Sequence, residues 1–363
     1  MKIIHCADLH LDSKMESNLD RDAAGLRREE LLETFETMVS YAVKNEVKVI
    51  IIAGDMFDKP NVRKSAKNRV LDQMREHPEI EFCYLKGNHD KCNFVDELTE
   101  QENLTNVKLF GDEGWTSYDF GEVVVSGMEL TKDNSQTLGM NLVLDQERFN
   151  IVVLHGQESD YQGNDKTEIV NLSLLRNKYI DYLALGHIHE YKEDRLDDRG
   201  RYCYSGCLEG RGFDECGEKG FVVLNVEDGR LSTEFISIAK RQLHDIKVEI
   251  DPEMKFSDMV EKTNEAVAEI SEDDLIKITY VGKVKMNGEV STTRLKKKLN
   301  KDFFFVKMYD KTSLVIDYEK FKNDKSLKGE FVRLLETEDM SEERRGAIIE
   351  IGMKAILGED LEE

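Results

Sequence analysis

Six short apolar runs, each cut off by a polar cluster, constrain this chain more than any other feature: "KIIHCADLH", "VKVIIIAGD", "IEFCYLKGNHD", "EVVVSGME", "FNIVVLHG" and "DYLALGHIH". Runs of this length and continuity suit strands buried on both faces, which need covering layers on either side. Between the first two lie Leu31, Phe35, Met38, Val39 and Ala42, spaced by three and four as on one side of a helix. The expectation is a layered α/β fold. Ligands of such folds bind beyond the carboxyl ends of the strands. That is where the polar clusters fall.

The pattern holds to about residue 238. The segment "AKRQLHDIKVEIDPEM" then reads as a linker into a fresh strand, and residues 239–318 suit a small α+β module with one basic run, "RLKKKLNK". Residues 319–363 read as a helical tail; from Ser326 onward it carries five basic against eleven acidic residues. The expected domains are therefore 1–238, 239–318 and 319–363.

The formal net charge of −23 argues against a non-specific DNA coat protein, which would need clustered Lys and Arg. It leaves open an enzyme whose positive charge comes from bound metal. Six cysteines without a C-x-x-C pair suit reduced thiols in the cytoplasm. The start "MKIIHCADLH" lacks the apolar core of a signal peptide, and no stretch is long enough to span a bilayer, so no membrane partner is expected.

The clusters themselves are Asp8 and His10; Gly54 and Asp55; Asn88, His89 and Asp90; His155; and His187 with His189. Each has an ordinary reading alone, as a turn, a cap or a packed histidine. Together, Asp8, His10, Asp55, Asn88, His155, His187 and His189 are seven oxygen and nitrogen donors without a thiolate. Such a set suits manganese, iron or zinc better than calcium or magnesium. In extended backbone His187 and His189 would point the same way, each able to reach a different ion of a pair.

The order D-x-H, G-D-x-x-D, G-N-H-D, H-G, G-H-x-H resembles the calcineurin-like metallophosphoesterases. The flanking text, "KIIHCADLHLD" and "DYLALGHIHEY", is similar more narrowly to the SbcD-type DNA repair nucleases. The resemblance covers residues 1–240 through specific motifs and extends more loosely into the small module. It implies a four-layer α/β/β/α sandwich with two manganese ions at one edge. Asp8, His10, Asp55 and His189 match the ligands of the first ion; Asp55, Asn88, His155 and His187 match those of the second, with Asp55 bridging. His89 matches the catalytic residue that contacts the scissile phosphate and assists the leaving oxygen. Asp90 either orients His89 or caps its turn. His5 reads as a core residue. Archaeal and eukaryotic relatives carry a histidine where this chain has Asp58, which leaves the role of that position open. Arg211, in "YSGCLEGRGFDE", either holds a phosphate or makes a salt bridge.

What the resemblance implies functionally is metal-dependent hydrolysis of DNA phosphodiesters, with an SbcC-like coiled-coil ATPase as partner and a homodimer left open. Ile348, Ile351 and Ala355 share one face of a helix that either docks on the ATPase or packs on its own domain. The alternative is a metallophosphodiesterase acting on a small or cyclic nucleotide. A phosphoprotein phosphatase is disfavoured: those enzymes follow G-D-x-x-D with Arg-Gly, and this chain reads "GDMFDKP". A non-catalytic assembly subunit is disfavoured by the full set of ligands and His89.

Overall fold

The computed structural model describes residues 1–15, 19–58, 60–101, 104–158, 169–285, 290–315 and 323–357. The chain divides into two compact units, Met1–Gln242 and Leu243–Glu363.

In the first unit, strand β1 (Lys2–Cys6) leads to helix α1 (Arg21–Lys44), β2 (Val49–Ala53), α2 (Lys64–Glu76), β3 (Glu81–Leu85), α3 (Phe94–Thr99) and β4 (Val107–Leu109). These four strands are mutually parallel. The sheet is completed by β13 (Gly220–Glu227), antiparallel to β1, and β14 (Arg230–Ser237), giving the order β14-β13-β1-β2-β3-β4. A second six-stranded sheet has the order β11-β12-β10-β7-β6-β5. It comprises β5 (Thr116–Asp119), β6 (Val123–Gly127), β7 (Phe149–His155), β10 (Tyr182–Gly186), β11 (Lys192–Arg195) and β12 (Arg201–Tyr204). The short pair β8 (Gln157–Glu158) and β9 (Ile169–Val170) lies apart from both sheets.

Continuous apolar runs are needed because both faces of the strands are covered. In β2, Ile50 and Ile52 join Ile4, Leu31, Phe35, Met38 and Val39 in a core beneath the helices. Val49, Ile51 and Ala53, one residue out of phase, join Ile151, Val153 and Ala184 between the sheets. The residues predicted to form a helical stripe are the buried side of α1, whose N-terminus is capped by the Asp20 carboxylate. Beyond the second sheet a further core gathers Leu138, Leu142, Val152, Leu154, Leu175 and Leu185. Among the described residues that outer layer is made of loops and two 3₁₀ turns, Ser135–Thr137 and Leu172–Leu174. The architecture is the expected layered sandwich on two central sheets.

The second unit contains β15 (Leu243–Ile250), α4 (Phe256–Ala266), β16 (Leu275–Lys285), α5 (Thr292–Lys296), β17 (Phe305–Asp310) and β18 (Ser313–Val315). Among the described residues all its strand pairs are parallel, as helical crossovers require. Much of the basic run is used internally: Arg294 stacks on Phe256, and Lys301 Nζ donates to the carbonyls of Ala268 and Ile270. Two helices, Leu327–Glu336 and Glu342–Leu357, close the unit around Val332, Leu335, Ile349 and Met353. Ile348 leans on that core, while Ile351 and Ala355 are exposed.

Candidate metal centre

β1, β2 and β3 run parallel in one sheet, β7 and β10 in the other, so the clusters that follow them collect at shared edges. Asp8 and His10 follow β1, Asp55 follows β2, Asn88 and His89 follow β3, His155 ends β7, and His187 and His189 follow β10. The structure brings all eight together.

Asp55 is at the middle. Its Oδ2 lies 3.4 Å from His155 Nε2 and 3.7 Å from His10 Nε2. Around it, Asp8, His10 and His189 present ligand atoms within 4.8 Å of one another, and so do Asp8, Asp55 and His155. Asn88 Oδ1 is 3.1 Å from His155 Nε2, and His10 Nε2 is 3.2 Å from His189 Nε2. The His187 ring packs edge-on against His155 with centroids 5.4 Å apart. His187 and His189 therefore lie on different sides of the cluster, but not through extended backbone. β10 stops at Gly186, and His187 has φ +97°, so the chain turns between them.

Three neighbouring groups face the outer nitrogens of the imidazoles. His155 Nδ1 bonds the Ala53 carbonyl at 2.9 Å, His189 Nδ1 bonds Glu215 Oε1 at 2.6 Å, and His10 Nδ1 lies 3.1 Å from Asp58 Oδ1. In His155 and His189 the hydrogen-bonded Nδ1 points outward, which leaves Nε2 facing the cluster, while His10 Nδ1 approaches Asp58 without a hydrogen bond. Backbone strain collects here too: Asp8, His10, Asp55 and His187 all have positive φ. Non-glycine residues hold that conformation only where their surroundings impose it. Two glycines of the motifs are there for space. A Cβ on Gly54 would meet His155 Nδ1 at 2.1 Å, and one on Gly87 would meet Asp55 Oδ1 at 2.2 Å.

The electrostatics call for a cation. Asp8, Asp55, His10 and His155 are all buried. Burial disfavours the imidazolium of His155, yet Asp55 and Asp8 outweigh it and raise the pKa to about 10. Burial likewise opposes ionisation of Asp55, but His155 and His10 hold its carboxyl well below the usual range. The cluster thus draws in positive charge, and its donors are nitrogen and oxygen, as a borderline divalent ion requires. The residues fit a metal centre.

His89 stands at the rim, its side chain 48% exposed, with Nδ1 3.5 Å from Asp58 Oδ1. Asp58, not Asp90, is the carboxylate that faces it. Asp90 accepts the backbone N–H groups of Met56, Phe57 and Gly87, so it ties the loops that carry Asp55 and Asn88 together. Burial and the nearby Asp55 raise its pKa to about 6. Arg211 is a salt-bridging residue: its guanidinium reaches Asp58 at 3.3 Å and Glu215 at 2.9 Å. Sequence reasoning missed Glu215; the residue sits in a loop, outside every strand-end cluster. A cavity of about 530 Å³ opens beside His187 and His189, with Ile188, Glu190 and Lys219 in its walls.

A two-sheet sandwich carrying nitrogen and oxygen donors at its strand ends fits a metal-dependent phosphoesterase. The chain belongs to the calcineurin-like phosphoesterase family, whose profile matches residues 1–191. Members of that family work with a dinuclear metal centre. The chain is 29% identical over 259 residues to the metallophosphoesterase YhaO of Bacillus subtilis, covering 68% of this chain and 61% of that protein. It is 28% identical over 208 residues to the DNA double-strand break repair protein Mre11 of Sulfurisphaera tokodaii, covering 54% and 51%. Against Mre11 of Sulfolobus acidocaldarius the identity is 23% over 309 residues, covering 81% of this chain and 78% of that protein. The chain thus spans less than two thirds of the length of the first two.

None of the six cysteines forms a disulfide. Among the described residues no helix is long and apolar enough to cross a membrane.

Proposed function

We propose that this protein is an SbcD-type nuclease that hydrolyses DNA phosphodiesters with two divalent ions, manganese being the expected pair. The carrying observation is the position of Asp55, one buried carboxylate between His10 and His155, with His89 half-exposed beside it. Asp8, His10, Asp55 and His189 would hold one ion; Asp55, Asn88, His155 and His187 the other. Bound there, the ions supply Lewis acidity toward a phosphoryl oxygen and lower the pKa of a water.

The chain's own groups do the rest. The strained, buried ligand loops hold the donors in advance, so little reorganisation is needed on binding. Asp58 faces Nδ1 of His89 at 3.5 Å, and Nε2 is the atom proposed to stabilise or protonate the departing sugar oxygen. DNA is favoured as substrate by relatives named as double-strand break repair proteins, one of which aligns across 81% of the chain, well beyond the family's 191 residues.

Residues 239–318 are proposed as a cap and 319–363 as the seat of an SbcC-like coiled-coil ATPase. Leu327, Leu334 and Ile351, all more than half exposed on the two terminal helices, support that docking role. The test compares cleavage of duplex DNA with that of a bis-aryl phosphodiester, before and after chelation and manganese return. Manganese-restored cleavage of DNA supports the reading; turnover of the small ester alone refutes it.

A further inference from the structure

We propose that Glu215 and Arg211 form a positioning clamp that sets the affinity of one metal site, the one served by His10 and His189, and leaves the other site alone. The inference rests on the two-ion reading of the centre.

A closed chain of contacts surrounds these two histidines. His10 Nδ1 lies 3.1 Å from Asp58 Oδ1, and Asp58 Oδ1 lies 3.3 Å from Arg211 Nη1. Arg211 Nη2 lies 2.9 Å from Glu215 Oε1, and Glu215 Oε1 lies 2.6 Å from His189 Nδ1. The ring closes where His10 Nε2 and His189 Nε2 meet at 3.2 Å. Glu215 also accepts the Arg211 backbone N–H through Oε2 at 2.7 Å, so the two residues are locked from both main chain and side chain.

Both are shielded. Their side chains are 7% and 18% exposed; Nη1 and Nη2 of the guanidinium face Asp58 and Glu215, Nη2 also lies 3.3 Å from His189 Nδ1, and little of the group is presented to solvent as a phosphate anchor. The loop that carries them is itself pinned. Buried Glu209 accepts from Arg27 Nη2 at 2.9 Å and from Thr34 Oγ1 at 2.7 Å, both on α1. The clamp is thereby held by the helical layer.

The asymmetry makes the idea testable. A carboxylate on the outward nitrogen of a ligating histidine fixes its tautomer and aim. At the other site His155 is oriented differently, by the main-chain carbonyl of Ala53, which no side-chain substitution at 211 or 215 touches.

The experiment uses the full chain stripped of metal and titrated with manganese(II) by calorimetry, with cobalt(II) absorption reporting each coordination sphere. Wild type is expected to take two ions. Glu215→Ala should weaken one of them roughly 10- to 100-fold and leave the other unchanged. Glu215→Gln, which keeps an oxygen acceptor for His189, should recover most of the loss. Arg211→Gln keeps the Glu215–His189 bond and should weaken the same ion by less; it stands in if Glu215→Ala does not fold. Two ions bound as tightly in the variants as in wild type overturn the clamp, and so does equal weakening of both. Fewer than two ions in wild type overturns the two-ion reading and the clamp with it.

Discussion

Asp55 and His155 come from the ends of strands in different sheets, yet Oδ2 of one faces Nε2 of the other at 3.4 Å inside the protein. The sandwich exists in part to bring these two together. Asp55→Asn removes the charge between the two groups of donors. The variant is expected to hold fewer than two manganese ions per chain, measured by elemental analysis after dialysis. Its cleavage rate should fall by at least about a hundredfold.

His89 contributes differently, because it stands at the rim and outside both expected ion groups. His89→Ala should retain both ions while cleavage drops about a hundredfold to ten-thousandfold, the range for loss of a general acid. Calorimetry and a DNA cleavage assay on the same preparation separate the two effects. A variant that cuts at the wild-type rate removes His89 from the mechanism.

Gly54 is a space requirement with a backbone requirement added. It has φ +93°, and a Cβ there would strike His155 Nδ1. Gly54→Ala should lower stability by on the order of 3 kcal/mol, from strain and displaced packing together. Urea denaturation with an unchanged slope would report this. Metal affinity should fall in parallel, because the displaced ring is one of the proposed ligands.

His5 predicts a pH dependence unrelated to the centre. It is fully buried against the Tyr182 hydroxyl, and burial depresses its pKa from 6.5 to about 3. The folded state therefore binds this proton less readily than the unfolded chain. The stability present above pH 6.5 is lost as the pH falls toward 3, by about 2 kcal/mol at pH 5. His5→Gln does not titrate, so its melting temperature should decline less steeply between pH 6.5 and 5. Identical slopes for the two proteins would remove His5 as the source.

The terminal helices offer a partner test that spares the fold. Leu327 and Leu334 are seven residues apart on one helix and 69% and 60% exposed, and Ile351 on the next is 56% exposed. Leu334→Glu combined with Ile351→Glu should abolish co-purification with a coiled-coil ATPase while leaving melting temperature and ion binding unchanged. Undiminished association would move the docking site elsewhere.

The layered fold was legible in the sequence because strands buried on both faces must be apolar throughout, as "VIIIA" in β2 is. The donors were legible because parallel strands put their carboxyl ends at one edge, so polar residues just beyond them were bound to meet. Both are properties of local pattern and chain direction. What lay outside that pattern needed the tertiary structure. Asp58 and Asp90 look equivalent in sequence, but only packing turned one toward His89 and the other onto three backbone N–H groups. The turn at His187 replaced the extended geometry its spacing suggested. Glu215 and Arg211 lie in a loop without periodicity, and their bonds to His189 and Asp58 depend on where α1 anchors that loop. Periodicity says which face of a strand or helix a residue occupies; which distant carboxylate reaches a given nitrogen is decided by how the layers stack.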